Sequence, residues 1–326
     1  MEASVSSHSV PNSGTVAELG EFGLIRAVTE NRRQPASTLL GPGDDAAVIA
    51  ASDGRVVAST DVLVQGVHFR LDWSTPEQVG RKAIAVNLAD IAAMGAVPTS
   101  VLVGLACPGD TPAKVIQELA DGMWQEAGAA GAGLVGGDTV SAEQLVISVS
   151  ALGDLHGRSP VTRSGARPGD IVAVCGRLGW AAAGLAVLHR GFRSPVGVVN
   201  AQRYPEPVYA AGPAAADAGA TAMIDVSDGL LADLGHIAES SKVGIDVRTE
   251  FLEVPQRLVD VSTALGGDPM HWVLTGGEDH ALAATFPSFV ELPEGWRRIG
   301  AVTMPDSGVT VDGDPYHREA GWEHWR

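Results

Sequence analysis

The sequence predicts an α/β fold with mixed sheets, arranged as two domains. Three observations lead there. Strand-like and helix-like segments interleave in both halves of the chain. The chain has 326 residues and is 45% hydrophobic, enough for two cores at ~100–200 residues per domain. The stretch His156–Asp170, HGRSPVTRSGARPGD, is rich in Gly, Pro, Ser and Arg and reads as a crossover between domains. The predicted division is residues 1–17 as a disordered leader, 18–155 as an N-terminal domain and 156–326 as a C-terminal α/β domain.

The elements follow in order. A helix starts near Val16, runs to Asn31 and ends before Pro35. After the glycine loop at Gly41–Asp45 comes strand AVIAAS, then a turn at Asp53-Gly54 and strand RVVASTDVLV, a pair that resembles a hairpin. Pro76 opens a helix that Gly95 closes, with Pro98 just beyond. Strand SVLVGLAC, a helix opened by Pro112, and strands LVGGD and QLVISVSALGDL complete the first half. The second half reads as strand IVAVCG, helix GWAAAGLAVLHR, a helix around PVYAAGPAAADAG, strand ATAMIDVS and helix GLLADLGHIAESS. Strand-like GIDVR, WVLTGGEDHALAATF and RRIGAVT follow.

Bulk properties narrow the function classes. The net charge is −17 and only three lysines occur, Lys82, Lys114 and Lys242, which argues against a nucleic-acid or anionic-membrane partner. Cys107 and Cys175 form no CxxC pair, so neither a thiolate zinc site nor a disulfide framework is indicated. No apolar run reaches the ~18–20 residues of a membrane span. The N-terminus lacks the basic flank and apolar core of a signal peptide. A cytoplasmic enzyme is the expectation.

Carboxylates fall at the ends of predicted elements, where open α/β sheets place ligands. Asp44 and Asp45 lie on the glycine loop, Asp61 in Ser59-Thr60-Asp61, Asp138 in Gly136-Gly137-Asp138, and Asp225 and Asp228 bracket the corner IDVSDG. Each has a plain alternative. The loop pair reads as solvated turn residues, the Gly-Gly-Asp as a turn, and Ser227 as a helix N-cap with Asp228 complementing the dipole. Asp90 is different, being the one charge in the twelve residues AIAVNLADIAAM. A helix this apolar is buried on most faces. A buried carboxylate needs a partner or a metal, and Lys82, two turns away, is a poor partner. An Asp reaching water at the helix edge is the alternative. Together the clusters are oxygen-only, which suits hard cations such as Mg²⁺ that bridge nucleotide phosphates.

Familiar catalytic motifs are absent. The sequence has no GxxxxGK[ST], HExxH, GxSxG or kinase HRD/DFG pair. His68, Arg163 and Trp322 carry both structural and functional readings. His68 follows a strand, Arg163 lies in the crossover where a guanidinium would reach a phosphate, and Trp322 offers a flat face near the C-terminus.

GDDAAV, STDVLVQGVHF, RKAIAVNLADIAAMGA, VGGDT, TRSGARPGD, IDVSDGLLADLGHI and TGGEDHAL, in this order, resemble the thiamine-monophosphate kinase family of the aminoimidazole ribonucleotide synthetase-like superfamily. The likeness runs from about Gly20 to the C-terminus. The resemblance implies a two-domain aminoimidazole ribonucleotide synthetase-like fold whose N-terminal domains bind ATP and Mg²⁺ and pair in a homodimer. It implies transfer of a phosphoryl group from ATP to thiamine monophosphate, with several Mg²⁺ ions. Carried over by position, Asp45, Ser59, Thr60, Asp61, Asp90, Asp138, Asp225 and Asp228 would ligate magnesium. Gly137, Asp138, Arg163 and Ser227 would contact ATP, and His68, Glu278 and Trp322 the thiamine phosphate. No residue is assigned as general base.

The chain departs from the family pattern in two places. His280 and Ala281 stand where GGED is usually followed by an aromatic and an acid, and Pro42 replaces a branched apolar residue. Three rivals remain beside the kinase: a sibling synthetase, a metal-dependent phosphatase, and a non-catalytic nucleotide-binding protein. The absence of any cysteine before Cys107 speaks against a selenophosphate synthetase.

Overall fold

A computed structural model describes residues 14–42, 46–305, 308–317 and 321. The chain divides into two compact units. One holds the described residues up to Ala50 with Thr60–Ile84 and Thr99–Ala151; the other holds Ala51–Ser59, Ala85–Pro98 and the chain from Leu152 onward.

The first half runs α1 (Val16–Thr29), β1 (Thr38–Leu40), β2 (Val48–Ile49), β3 (Val57–Val64), α2 (Pro76–Ala93), β4 (Val97–Cys107), α3 (Ala113–Ala129), β5 (Gly133–Ser141) and β6 (Val146–Asp154). A four-stranded sheet has the order β3-β6-β4-β5, with β4 and β5 parallel. α1 opens with a capping box, in which Thr15 and Glu18 each accept the other's backbone N–H. α2 uses the same device between Thr75 and Gln78, with Pro76 as its first residue. Gly95, at φ +73°, follows its last turn. Residues 82–89 of α2 are all buried, as one charge in twelve residues predicts.

The second half runs β7 (Ile171–Cys175), α4 (Trp180–His189), α5 (Val196–Arg203), α6 (Ala211–Asp217), β8 (Ala222–Val226), α7 (Leu230–Ser241), β9 (Gly244–Val247), α8 (Gln256–Leu265), α9 (Pro269–Thr275), β10 (Ala281–Phe286), β11 (Arg297–Thr303), β12 (Val309–Val311) and β13 (Asp314–Pro315). A mixed seven-stranded sheet has the order β13-β12-β9-β11-β7-β10-β8. β12 runs parallel to β9, while β10 runs antiparallel to both β7 and β8. β7 is an inner strand with Val172–Val174 fully buried, which is why it reads as a continuous apolar run. The core beside it includes Met223, Leu282 and Phe286, with Phe286 meeting Trp296 edge to face at 5.4 Å between centroids.

Two expectations need correction. The segment after the glycine loop does not pair with RVVASTDVLV as a hairpin. β2 pairs with β1 across Thr38↔Ile49, and β3 lies beside β6. A two-residue strand is too short to hold an eight-residue one in register. The segment WVLTGGEDHALAATF is not all strand, because its first residues end α9. Asp268 caps that helix through the N–H groups of Met270 and His271, and Pro269 occupies its first position.

Candidate active site

The clearest constellation lies in the second unit, where β8 ends and α7 begins. Ser227, Asp228 and Gly229 form the corner between them. The loop Gly276–His280, between α9 and β10, packs on this corner backbone to backbone. Glu278 donates its N–H to Ser227 O at 2.7 Å, and His280 donates to Val226 O at 2.9 Å. Gly277 permits the approach, since a β-carbon there would stand 2.5 Å from Ser227 O. The motifs IDVSDG and TGGED, fifty residues apart, thus form one structure.

Within that structure the polar side chains divide into holders and candidates. Ser227 is not the cap of α7. Asp233, one turn into the helix, accepts the N–H groups of Asp228 and Gly229 at 3.1 and 3.0 Å. Asp279 is a holder too, accepting from Gly179 at 2.5 Å and Ala181 at 2.9 Å at the start of α4. Asp225, the last-but-one residue of β8, is buried and bonded through Oδ2 to His280 Nδ1 at 3.0 Å. Asp90, itself half-buried in the last turn of α2, accepts the Ser59 hydroxyl through Oδ2 at 2.6 Å.

The charges crowd one another. Burial raises the Asp233 carboxyl to about 7, and the charges of Asp225 and then Asp228 push the same way. Burial also raises Asp279 to about 7 against its backbone hydrogen bonds. Burial pulls the His280 imidazole down, but the hydrogen bond and charge of Asp225 outweigh it, with Glu278 and Asp90 adding to the rise. Asp90, Asp225 and Glu278 therefore act on one imidazole, and Asp225 and Asp228 on one buried acid. Apart from the His280 imidazole the side-chain donors here are carboxylate oxygens, a set whose chemistry fits a hard divalent cation.

The first unit carries further described candidates. Thr60 and Asp61 are exposed on β3, and Thr60 donates its hydroxyl to Val149 O at 2.9 Å. Asp138 is exposed on β5, with Oδ1 accepting the Thr139 N–H at 2.8 Å. Gly137 is dictated by the sheet, because a β-carbon there would stand 2.0 Å from Val103 O on β4. His68 accepts the Val64 N–H through Nδ1 at 3.0 Å, which places the proton of the neutral ring on Nε2. The buried Lys82 donates to His68 O at 3.1 Å, so this lysine secures the turn that carries His68.

Arg163 is exposed in the crossover, and its carbonyl accepts from the Ser241 hydroxyl at 3.0 Å. Asp44, Asp45 and Trp322 lie outside the described residues. Gly321, just before Trp322, lies against the start of α7 and the corner before it, where a β-carbon would stand 2.7 Å from Ala232 Cβ and 2.6 Å from Asp228 O. Sequence reasoning missed Asp233 and His280. The signal for Asp233 was available, since LLADLG at the start of α7 repeats the pattern that marked Asp90: one carboxylate among apolar helix residues.

Models of the AIR synthase related protein family match the chain in two parts, the N-terminal domain over residues 43–155 and the C-terminal domain over residues 167–269. The chain is 55% identical to a thiamine-monophosphate kinase of Mycobacterium tuberculosis, covering 95% of this chain and 93% of that protein. It is 44% identical to the thiamine-monophosphate kinase of Corynebacterium glutamicum, covering 96% of each. Among solved structures, AaThiL complexed with AMPPCP and TMP superposes with a TM-score of 0.77 at 31% identity, covering 97% of this chain and all of that one.

Proposed function

The chain belongs to the thiamine-monophosphate kinase family, and from that premise we propose that it transfers the γ-phosphoryl group of ATP to thiamine monophosphate, giving thiamine diphosphate and ADP. The observation that carries the reading is the clasp of the Asp225–Asp228 corner by the Gly276–His280 loop, which gathers carboxylates without a lysine. Such a site suits phosphoryl transfer, where positioning and charge neutralisation matter more than covalent catalysis.

We assign the cation-holding role to Asp45, Ser59, Thr60, Asp61, Asp90, Asp138, Asp225 and Asp228. Among the described residues no three acidic, His or Cys side chains stand together as a ready-made cage. Mg²⁺ is commonly held by one or two carboxylates with substrate phosphates completing its shell, so its binding does not require such a cage. When bound, the metal supplies neutralisation of phosphate charge. Ser59 keeps one oxygen of Asp90 fixed, and Asp233 and Asp279 hold the backbone on which Ser227, Asp228 and Glu278 stand.

Gly137, Asp138, Arg163 and Ser227 are assigned to ATP. The Arg163 guanidinium would meet phosphate oxygens bidentately. His68, Glu278 and Trp322 are assigned to thiamine monophosphate. Nε2–H of His68 is a donor suited to its phosphate, while Glu278 and the indole suit the cationic thiazolium ring. A phosphate oxygen of the acceptor attacks the γ-phosphorus, and the bond from that phosphorus to the β–γ bridging oxygen breaks, releasing ADP. The attacking oxygen is already anionic at neutral pH, so no general base is needed.

A homodimer is part of the proposal. By the β4–β5 register Leu102 and Val140 share a sheet face with Asp138, and they are 38% and 55% exposed. A second copy would cover that apolar face. No helix among the described residues is long and apolar enough to cross a membrane, and we place the enzyme in the cytoplasm with its nucleotide substrate. The test is ADP release with and without thiamine monophosphate. Release that depends on the acceptor supports transfer, and equal release without it overturns transfer in favour of hydrolysis.

A further inference from the structure

We propose that His280 is a positioning residue for the phosphoryl transfer: it locks one oxygen of Asp225 so that the other is presented to the cation. The inference rests on the reading of Asp225 as a cation ligand given above.

The pair is built into the sheet. β10 pairs with β8 in the register Leu282↔Asp225 and Ala281↔Val226, so the residue preceding β10 is delivered beside the end of β8. His280 and Asp225 are 6% and 5% exposed, with Nδ1 and Oδ2 3.0 Å apart. An ionised carboxylate only accepts, so Nδ1 carries the proton in this contact. The imidazole has little freedom. Its backbone N–H is bonded to Val226 O, and its neighbour Asp279 is tied to the start of α4. Glu278 and His280 both adopt left-handed backbone, at φ +69° and +51°. Non-glycine residues hold that conformation where the surroundings enforce it, commonly at functional sites.

Asp225 needs such a partner. The last torsion of an aspartate is broad and two-fold, so packing alone does not orient its oxygens. A donor at fixed distance does, leaving Oδ1 as the oxygen a cation would take. Carboxylates that bind metals are themselves hydrogen-bonded, and losing that outer partner typically costs 10–100-fold in metal affinity or activity.

The test measures Mn²⁺ binding by electron paramagnetic resonance in the presence of a non-hydrolysable ATP analogue, together with kcat and KM, on the full-length protein. His280→Leu removes the donor and is expected to weaken Mn²⁺ binding about 10–100-fold. His280→Asn keeps an N–H close to the place of Nδ1 and tolerates left-handed backbone. It is expected to stay within about threefold of wild type, well inside that loss. Combined with Asp225→Asn, His280→Leu should add no further loss, because both act through one carboxylate. A merely structural histidine would give losses that add. Wild-type Mn²⁺ affinity in His280→Leu, with affinity lost in Asp225→Asn, overturns this inference alone. Wild-type affinity in Asp225→Asn overturns the ligand reading and the inference with it. If His280→Leu fails to fold, the asparagine variant decides: a loss of about tenfold or more in that folded variant overturns the proposal.

Discussion

Gly277 lies against Ser227 so closely that a β-carbon there would stand 2.5 Å from the Ser227 carbonyl oxygen. This contact joins two motifs that are remote in sequence, and the candidate site stands on it. Gly277→Ala must push the loop off the corner. We expect a loss of about 1–3 kcal/mol in stability, the range of overpacked positions, and at least a tenfold loss in kcat/KM. Thermal unfolding and steady-state kinetics check both. Gly235 in α7 has open space around its missing β-carbon, and Gly235→Ala should instead stabilise by about 0.5–1 kcal/mol.

Ser59 holds Asp90 at 2.6 Å. A hydroxyl bonded to a charged group contributes about 1.5–3 kcal/mol when both are well placed. Ser59→Ala should therefore raise the Mg²⁺ concentration needed for half-maximal rate while leaving the fold intact. Asp90→Asn should lose most turnover, with folding retained. A near-normal rate for Asp90→Asn at millimolar Mg²⁺ would remove Asp90 from the cation site.

Asp279 gives a pH signature. Burial raises its folded-state pKa to about 7, against about 3.9 in an unfolded chain. A raised pKa means that the folded state retains the proton. The stabilisation is complete below pH ~4 and is lost as pH rises through about 7. Three units correspond to about 4 kcal/mol. Asp154, Asp217 and Asp312, whose carboxyls are held low, are already ionised across this window. Asp233, likewise raised by burial to about 7, adds to the same slope, so the melting temperature should fall between pH 5 and pH 8 and Asp279→Asn should remove part of that dependence. An unchanged slope in the variant would show that Asp279 is ionised throughout.

Much of this was legible in the sequence where the signal is local. Pro76 and Gly95 marked α2 because caps act within a turn, and the lone charge of Asp90 stood out because its neighbours are apolar. The partner of Asp90 was not legible, since Ser59 comes from a strand thirty-one residues earlier. The clasp of IDVSDG by TGGED was hidden for the same reason: sheet register, not sequence proximity, brings β10 beside β8. His280 looked like a departure from a family pattern until that register placed it on Asp225. The hairpin expected at Asp53-Gly54 failed because turn chemistry alone does not choose a strand's partner. α9 was missed although Asp268 and Pro269 wrote its start in plain form.

The central claim is the reaction itself. Its most direct test is chromatographic measurement of thiamine diphosphate formed from ATP and thiamine monophosphate, with thiamine as the control acceptor. The account predicts thiamine diphosphate and ADP in equal amounts from the monophosphate and no phosphorylation of thiamine. Product from thiamine but none from its monophosphate would contradict it.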